Sequence, residues 1–200
     1  MTTTTTASPT ADPAPALAPG SEKADLLAEL AVAREALVRS TQGLDDEQIA
    51  QRPTVSALCL GGLVKHVTQV EAAWVRFIVE GTSAMSFDLP DGVTWEALFS
   101  GTAASVPQWM VERQEGFGVR PGETLASILA AYAEVAARTE QVVRELRDLN
   151  VAHRLAPAPW NEPGAVHTAR RVLIHVIAET TQHAGHADLL RETIDGATAT

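Results

Sequence analysis

The longest helical pattern in the chain is found in residues 168–194, which read TARRVLIHVIAETTQHAGHADLLRETI. Four residues that can bind a metal recur in it at spacings of four, four and three: His175, Glu179, His183 and His186. Because an α-helix turns about 100° per residue, these four side chains fall within roughly an 80° stripe on one face. Val172 and Leu190 share that stripe. The pattern therefore predicts that the imidazoles and the carboxylate face a core.

A metal would explain such a stripe. A buried carboxylate among buried imidazoles is costly unless its charge is compensated, and a divalent cation commonly does this. Glu179 and His183, at i and i+4, can reach one ion from the same side. His66 is the only histidine in the first 152 residues, and it lies on the apolar face of a second helical pattern. Two imidazoles and one carboxylate suit a zinc-like ion with an open coordination position.

Other roles stay open for three of these histidines. A single histidine on an apolar face is more often a hydrogen-bonded core residue than a ligand, and this interpretation applies to His66. His175 and His186 could replace Glu179 as ligands. They could also orient a ligand or form the wall of a substrate pocket.

Composition limits the classes of protein that fit. A chain of 200 residues is long enough for one domain with a sizeable core. Its net charge of −10 argues against a nucleic-acid surface, which needs clustered Lys and Arg. The single cysteine, Cys59, fits a reducing cytoplasm and is expected to be a small buried hydrophobe. Neither a membrane-spanning helix nor a secretory signal is expected.

The periodicity predicts an all-α fold. Residues 1–21 are rich in Thr, Ala and Pro and are expected to form a flexible tail, followed by one domain over residues 22–196. Four long helices are predicted, from about 22 to 43, 59 or 61 to 80, 123 or 124 to 149, and 168 to 194. Residues 45–50 are expected to form an acidic turn, and residues 150–167 a loop with solvated histidines at 153 and 167. Residues 82–121 form a long crossover, so the prediction is a four-helix bundle with a long connection between helices 2 and 3.

Two motifs resemble the DinB-like superfamily, in particular its actinobacterial branch. They are LGGLVKHV at residues 60–67 and RVLIH followed by ETTQHAGHADLLRE within residues 171–192. The resemblance implies a four-helix bundle around a divalent metal, which many members bind through three histidines. His66 and His183 match two of these, and Glu179 stands where the remaining histidine would be. A His-Glu-His set binds zinc in the mycothiol-dependent maleylpyruvate isomerase of the same superfamily, so zinc is expected first and nickel second.

The resemblance also implies a function. Members of the superfamily transfer low-molecular-weight thiols such as mycothiol or bacillithiol, so a metal-dependent thiol S-transferase or isomerase acting on a small molecule is expected. His66, Glu179 and His183 would be the metal ligands, and His186 or His175 would assist proton transfer. The isomerase carries a further domain, so its particular reaction is not expected here. A homodimer is implied as well. The alternatives are a metal-dependent hydrolase and a non-catalytic metal-binding module of the stress-response type.

Overall fold

The computed structural model describes residues 16–198, and most of them lie in α-helices. Four long helices are α1 (Glu22–Arg39), α3 (Leu60–Glu80), α6 (Leu125–Glu145) and α7 (Ala169–Asp195). Three short helices lie in the connections: α2 (Asp46–Ala50), α4 (Trp95–Phe99) and α5 (Gln108–Gly116). A 3₁₀ turn, Gly81–Met85, follows α3, and two short strands, β1 (Ala152–Arg154) and β2 (Val166–Thr168), pair in antiparallel fashion. The mainly all-α prediction is confirmed.

The four long helices surround one another as a bundle. α1 packs chiefly against α7, α3 packs against both α6 and α7, and α6 completes the ring by contacting α1. The long connection between α3 and α6 carries α4 and α5, as the crossover prediction requires. Aliphatic side chains from all four helices fill the interior in two clusters, so the buried faces of the helices stabilise the bundle.

Three of the four long helices begin at a side-chain cap, and all four begin within about a residue of the predicted position. Ser21, Thr124 and Thr168 each accept a hydrogen bond from a backbone N–H in the first turn of α1, α6 and α7. Gly81 ends α3 with φ 75°, a backbone conformation that favours glycine. The cysteine at the start of α3, Cys59, is buried as predicted.

Helix ends were predicted less well. α1 ends at Arg39 and not at residue 43, because the hydroxyl of Ser40 donates to the Leu37 carbonyl and closes the last turn. α6 ends at Glu145 and not near residue 149. At this end the Lys23 ammonium donates a hydrogen bond to the Leu146 carbonyl, a group that has no partner within the helix.

Two connections are more ordered than predicted. The expected acidic turn at residues 45–50 is a short helix, because Asp45 and Gln48 form a reciprocal capping box. The expected loop at residues 150–167 contains β1 and β2, in which His153 pairs with His167. Both histidines therefore lie in strands and not in a solvated loop.

The predicted tail lies mostly beyond the described part of the chain. Residues 1–15 lie outside the described residues, whereas Leu17 is partly buried against the core. The domain prediction for residues 22–196 stays a prediction. No helix between residues 16 and 198 is long and apolar enough to cross a membrane.

Candidate metal centre

His66, Glu179 and His183 come together where α3 packs against α7. One ligand atom from each residue lies within 4.8 Å of the others. The rings of His66 and His183 meet edge to face, with their centroids 4.8 Å apart. Oε2 of Glu179 lies 3.6 Å from Nε2 of His183, one helical turn further along α7. The structure therefore places together the three residues that the sequence singled out as ligands.

The electrostatics of this cluster favour neutral imidazoles. His66 is only 4 % exposed, and burial lowers its pKa to about 4, with further contributions from His183 and Arg113. The pKa of His183 is also lowered, chiefly by burial, although the neighbouring Glu179 carboxylate opposes this shift. A histidine binds a metal through an unprotonated ring nitrogen. At neutral pH both imidazoles therefore have an unprotonated ring nitrogen that can bind a metal.

The donor set fits a divalent cation. Within residues 16–198, neither ring nitrogen of His66 forms a hydrogen bond with another residue, and both nitrogens keep some access to solvent. A hydrogen-bonded core histidine, the alternative interpretation of His66, would have such a partner. Its neighbours in the cluster are a second imidazole and a carboxylate. Two nitrogens and one oxygen suit zinc, and imidazole also suits nickel.

The stripe of α7 that was predicted to face inward, His175 to His186, lies at the edge of the core and is partly exposed. The His183 side chain is 15 % exposed and that of His175 is 39 % exposed, while His186 is exposed. The buried face of α7 runs instead through Val176, Thr180 and Ala187. At 100° per residue this face is centred about 80° away from the stripe of His175, Glu179, His183 and His186. The prediction that all four face the core is wrong, and this offset leaves the cluster accessible from one side.

His175 and His186 lie on either side of the cluster. Nε2 of His175 lies 3.8 Å from Oε1 of Glu179, and its ring meets Trp74 edge to face at 5.0 Å. Nδ1 of His186 lies 3.5 Å from Nδ1 of His183. Each flanking histidine therefore contacts one of the three clustered residues. Their part in catalysis stays a prediction.

The two strand histidines are also less solvated than expected. Nε2 of His153 lies 3.1 Å from the Ile78 carbonyl oxygen at the end of α3. His167 stacks on Trp74 with a centroid distance of 5.6 Å, and burial is the main cause of its lowered pKa. The pairing of β1 with β2 places both imidazole rings in contact with α3. The expectation of solvated loop histidines is therefore wrong.

A stacking contact on His66 was missed in the sequence. The Phe117 ring, just after α5, stacks on the His66 ring at 4.2 Å and 23°. This approach requires glycine at position 62, because a Cβ there would overlap the Phe117 carbonyl. Lys65 holds the same segment by donating to the Gly118 carbonyl at 2.8 Å. Two adjacent glycines, Gly61 and Gly62, at the start of an apolar helix were the signal that another segment packs closely there.

One comparison with known proteins matches most of the chain. A family model described as Mycothiol-S-transferase matches residues 25–196, which begin within α1 and end at the glycine after α7. The matched range includes most of α1, all of the other three long helices and all three clustered residues. The match confirms the resemblance to the DinB-like superfamily. A search of curated proteins finds no match.

Proposed function

The chain belongs to the mycothiol-S-transferase family, and from this premise we propose that it is a metal-dependent thiol S-transferase. Its substrates would be a low-molecular-weight thiol of the mycothiol type and a small electrophile. The observation that carries the proposal is the convergence of His66, Glu179 and His183 between α3 and α7. The family match supports the thiol, and the three-residue cluster supports the metal.

We propose that His66 and His183 bind the metal through neutral nitrogens and Glu179 through a carboxylate oxygen. Zinc is the first candidate and nickel the second. When bound, such a metal lowers the pKa of a thiol and favours the reactive thiolate. The Phe117 ring covers one face of His66 and keeps water from it. The partly exposed side chains of Glu179 and His183 leave the opposite approach open to a substrate.

In the proposed reaction the thiol sulfur forms a bond to an electrophilic carbon of the second substrate. The bond from that carbon to its leaving group breaks, and the leaving group departs with the bonding electrons. The thiol proton passes to a base beside the cluster. His186 and His175 are the candidate bases, because each contacts one proposed ligand and each has a ring that solvent can reach.

The metal is tested first, by elemental analysis of protein purified without chelators. We expect about one zinc or nickel ion per chain in the wild type and loss of most of it in His66→Ala. His153→Ala is the matched control, because it also removes an imidazole next to α3 but leaves the cluster intact. Wild-type protein without metal, or equal metal in the His66 and His153 variants, would contradict the proposed site.

The reaction is tested with mycothiol and 1-chloro-2,4-dinitrobenzene, and chloride release is followed with and without a chelator. The proposal expects a thiol-dependent rate that falls on chelation and recovers when zinc is added back. Equal rates with and without the chelator would rule out metal dependence. Metal-dependent consumption of the electrophile without any thiol would favour the hydrolase instead. Bound metal without either activity would favour the non-catalytic module.

Two further properties belong to the same proposal. We propose a homodimer, which the resemblance supports, and light scattering of the purified protein tests it. We also propose a cytoplasmic location, supported by a single buried cysteine that has no partner for an internal disulfide. Fractionation of cells that express the tagged protein tests the location.

A further inference from the structure

The carboxyl end of α5 is docked beside the proposed metal centre. Phe117, which follows the helix directly, stacks on His66. One residue earlier, Gly116 is buried against Gln69 of α3, and a Cβ there would lie 2.5 Å from the Gln69 side-chain oxygen. These two contacts set the orientation of the last turn of α5 relative to His66.

Arg113 lies on the same face of α5 as Phe117. The two residues are four positions apart, so their side chains lie about 40° apart around the helix and one turn apart along it. Because Phe117 stacks on His66, this spacing places Arg113 one helical turn from that contact.

This guanidinium is available to a ligand. Arg113 is exposed, and it forms no hydrogen bond or ion pair with another residue between 16 and 198. By contrast, Arg34, Arg120 and Arg170 each form an ion pair with a carboxylate of the protein. In a chain with a net charge of −10, an unpaired arginine beside the cluster is a local site for an anion.

One further turn back, Trp109 continues the same face with an aromatic surface. Its ring lies 5.4 Å from that of Phe87 and 6.1 Å from that of Trp95. Trp160 joins this group through edge-to-face contacts with Phe87 and Trp95, and it is itself exposed. Trp109, Arg113 and Phe117 thus follow one another at intervals of four residues along α5 and its C-cap.

We infer that Arg113 is a specificity-determining residue that binds the carboxylate of an aromatic electrophile, next to the proposed metal centre. This inference rests on the proposed S-transferase function. Arginine suits this role because its planar fork can donate two parallel hydrogen bonds to a carboxylate. The aromatic rings before it along α5 offer a surface for the apolar part of the same molecule.

The experiment uses two matched electrophiles, 4-chloro-3,5-dinitrobenzoate and its methyl ester, with mycothiol and the metal-loaded protein. The two differ in the carboxylate charge, and the ratio of their kcat/KM values reports how much the enzyme prefers that charge. We expect Arg113→Gln to lower this ratio about tenfold, mainly through a higher KM for the carboxylate. Arg147→Gln makes the same charge change beyond the end of α6, and we expect it to leave the ratio within a factor of two.

A binding measurement separates this inference from the transferase proposal. The unreactive 4-hydroxy-3,5-dinitrobenzoate is titrated against tryptophan fluorescence in chelator-treated protein, with wild type and Arg113→Gln compared. We expect about tenfold weaker binding in the variant. If no thiol transfer is detected but this difference is present, the transferase proposal fails and the anion site stands. If the variant changes both the rate ratio and the affinity by less than twofold, the assignment of Arg113 is overturned.

Discussion

A buried ion pair between α1 and α3 offers the sharpest test of the packing described above. The Glu71 side chain is fully buried and accepts hydrogen bonds from Nε of Arg34 at 3.2 Å and from Nη2 of the same residue. The Thr139 hydroxyl of α6 donates to the same carboxylate. Arg34 is itself only 9 % exposed in its side chain. Replacing Glu71 with leucine would therefore leave a buried guanidinium without its principal anion.

The size of the effect follows from that burial. Removing one partner of a buried ion pair costs about 3–5 kcal/mol, because the remaining charge keeps its desolvation penalty. For a chain of 200 residues, 1 kcal/mol corresponds to roughly 2–4 °C in Tm. We therefore expect Glu71→Leu to lower Tm by about 6–20 °C. The double variant Arg34→Met/Glu71→Leu removes both charges, and we expect it to recover most of that loss.

The assay is thermal unfolding followed by circular dichroism at 222 nm, with a chelator present so that bound metal does not contribute. Thr139→Val is the control for a lost neutral hydrogen bond, and we expect a cost of about 1 kcal/mol. A Glu71→Leu variant within about 3 °C of the wild type would refute the reasoning. So would a double variant as unstable as the single one, because the loss would then not arise from an unpaired Arg34.

Three further predictions follow from the contacts around the site. In the metal-free protein the stability due to neutral His66 is fully present above about pH 6.5 and is lost as the pH falls toward 4, since folding lowers this pKa to about 4. Urea unfolding measures the free energy of unfolding of wild type and His66→Leu at pH 7.5 and 4.5. Between these pH values we expect the wild type to lose about 2–3 kcal/mol more than the variant, and an equal loss in both would contradict the assigned pKa. Gly62→Ala should lower the free energy of unfolding by about 1–3 kcal/mol and lower the metal affinity, because the added Cβ would displace Phe117. Competition with a zinc chelator measures the affinity, and an unchanged value would contradict the contact. Lys65→Met should lower the free energy of unfolding by about 1 kcal/mol, through loss of the Lys65 bonds to the Gly118 carbonyl and the Glu123 carboxylate. Faster proteolysis between α5 and α6 is the expected readout, and an unaltered cleavage rate would contradict this tether.

The Arg34–Glu71 pair shows how far a sequence pattern extends toward tertiary structure. Glu71 follows Leu63 and Val67 at intervals of four, and Arg34 follows Leu30 by four and precedes Leu37 by three. Periodicity could therefore place both charges on buried faces. It could not show that the two faces meet, because that depends on how α1 and α3 pack.

The candidate site divides in the same way. The spacing of His175, Glu179, His183 and His186 places them on one stripe of a helix, because the angle per residue is a property of the backbone itself. The apolar face around His66 likewise marks it as an inward residue. The sequence alone therefore determined the four long helices, where they begin, and the set of residues from which a metal site could be built.

The tertiary structure decided which of those residues meet and what surrounds them. His183 is largely covered while His186 is exposed, because the neighbouring helices cover only one side of the stripe on α7. Phe117 approaches His66 from a crossover about fifty residues away along the chain, through a contact that the periodicity of α3 does not encode. Local spacing sets the direction of a side chain on its own helix, whereas its environment depends on the packing of remote segments.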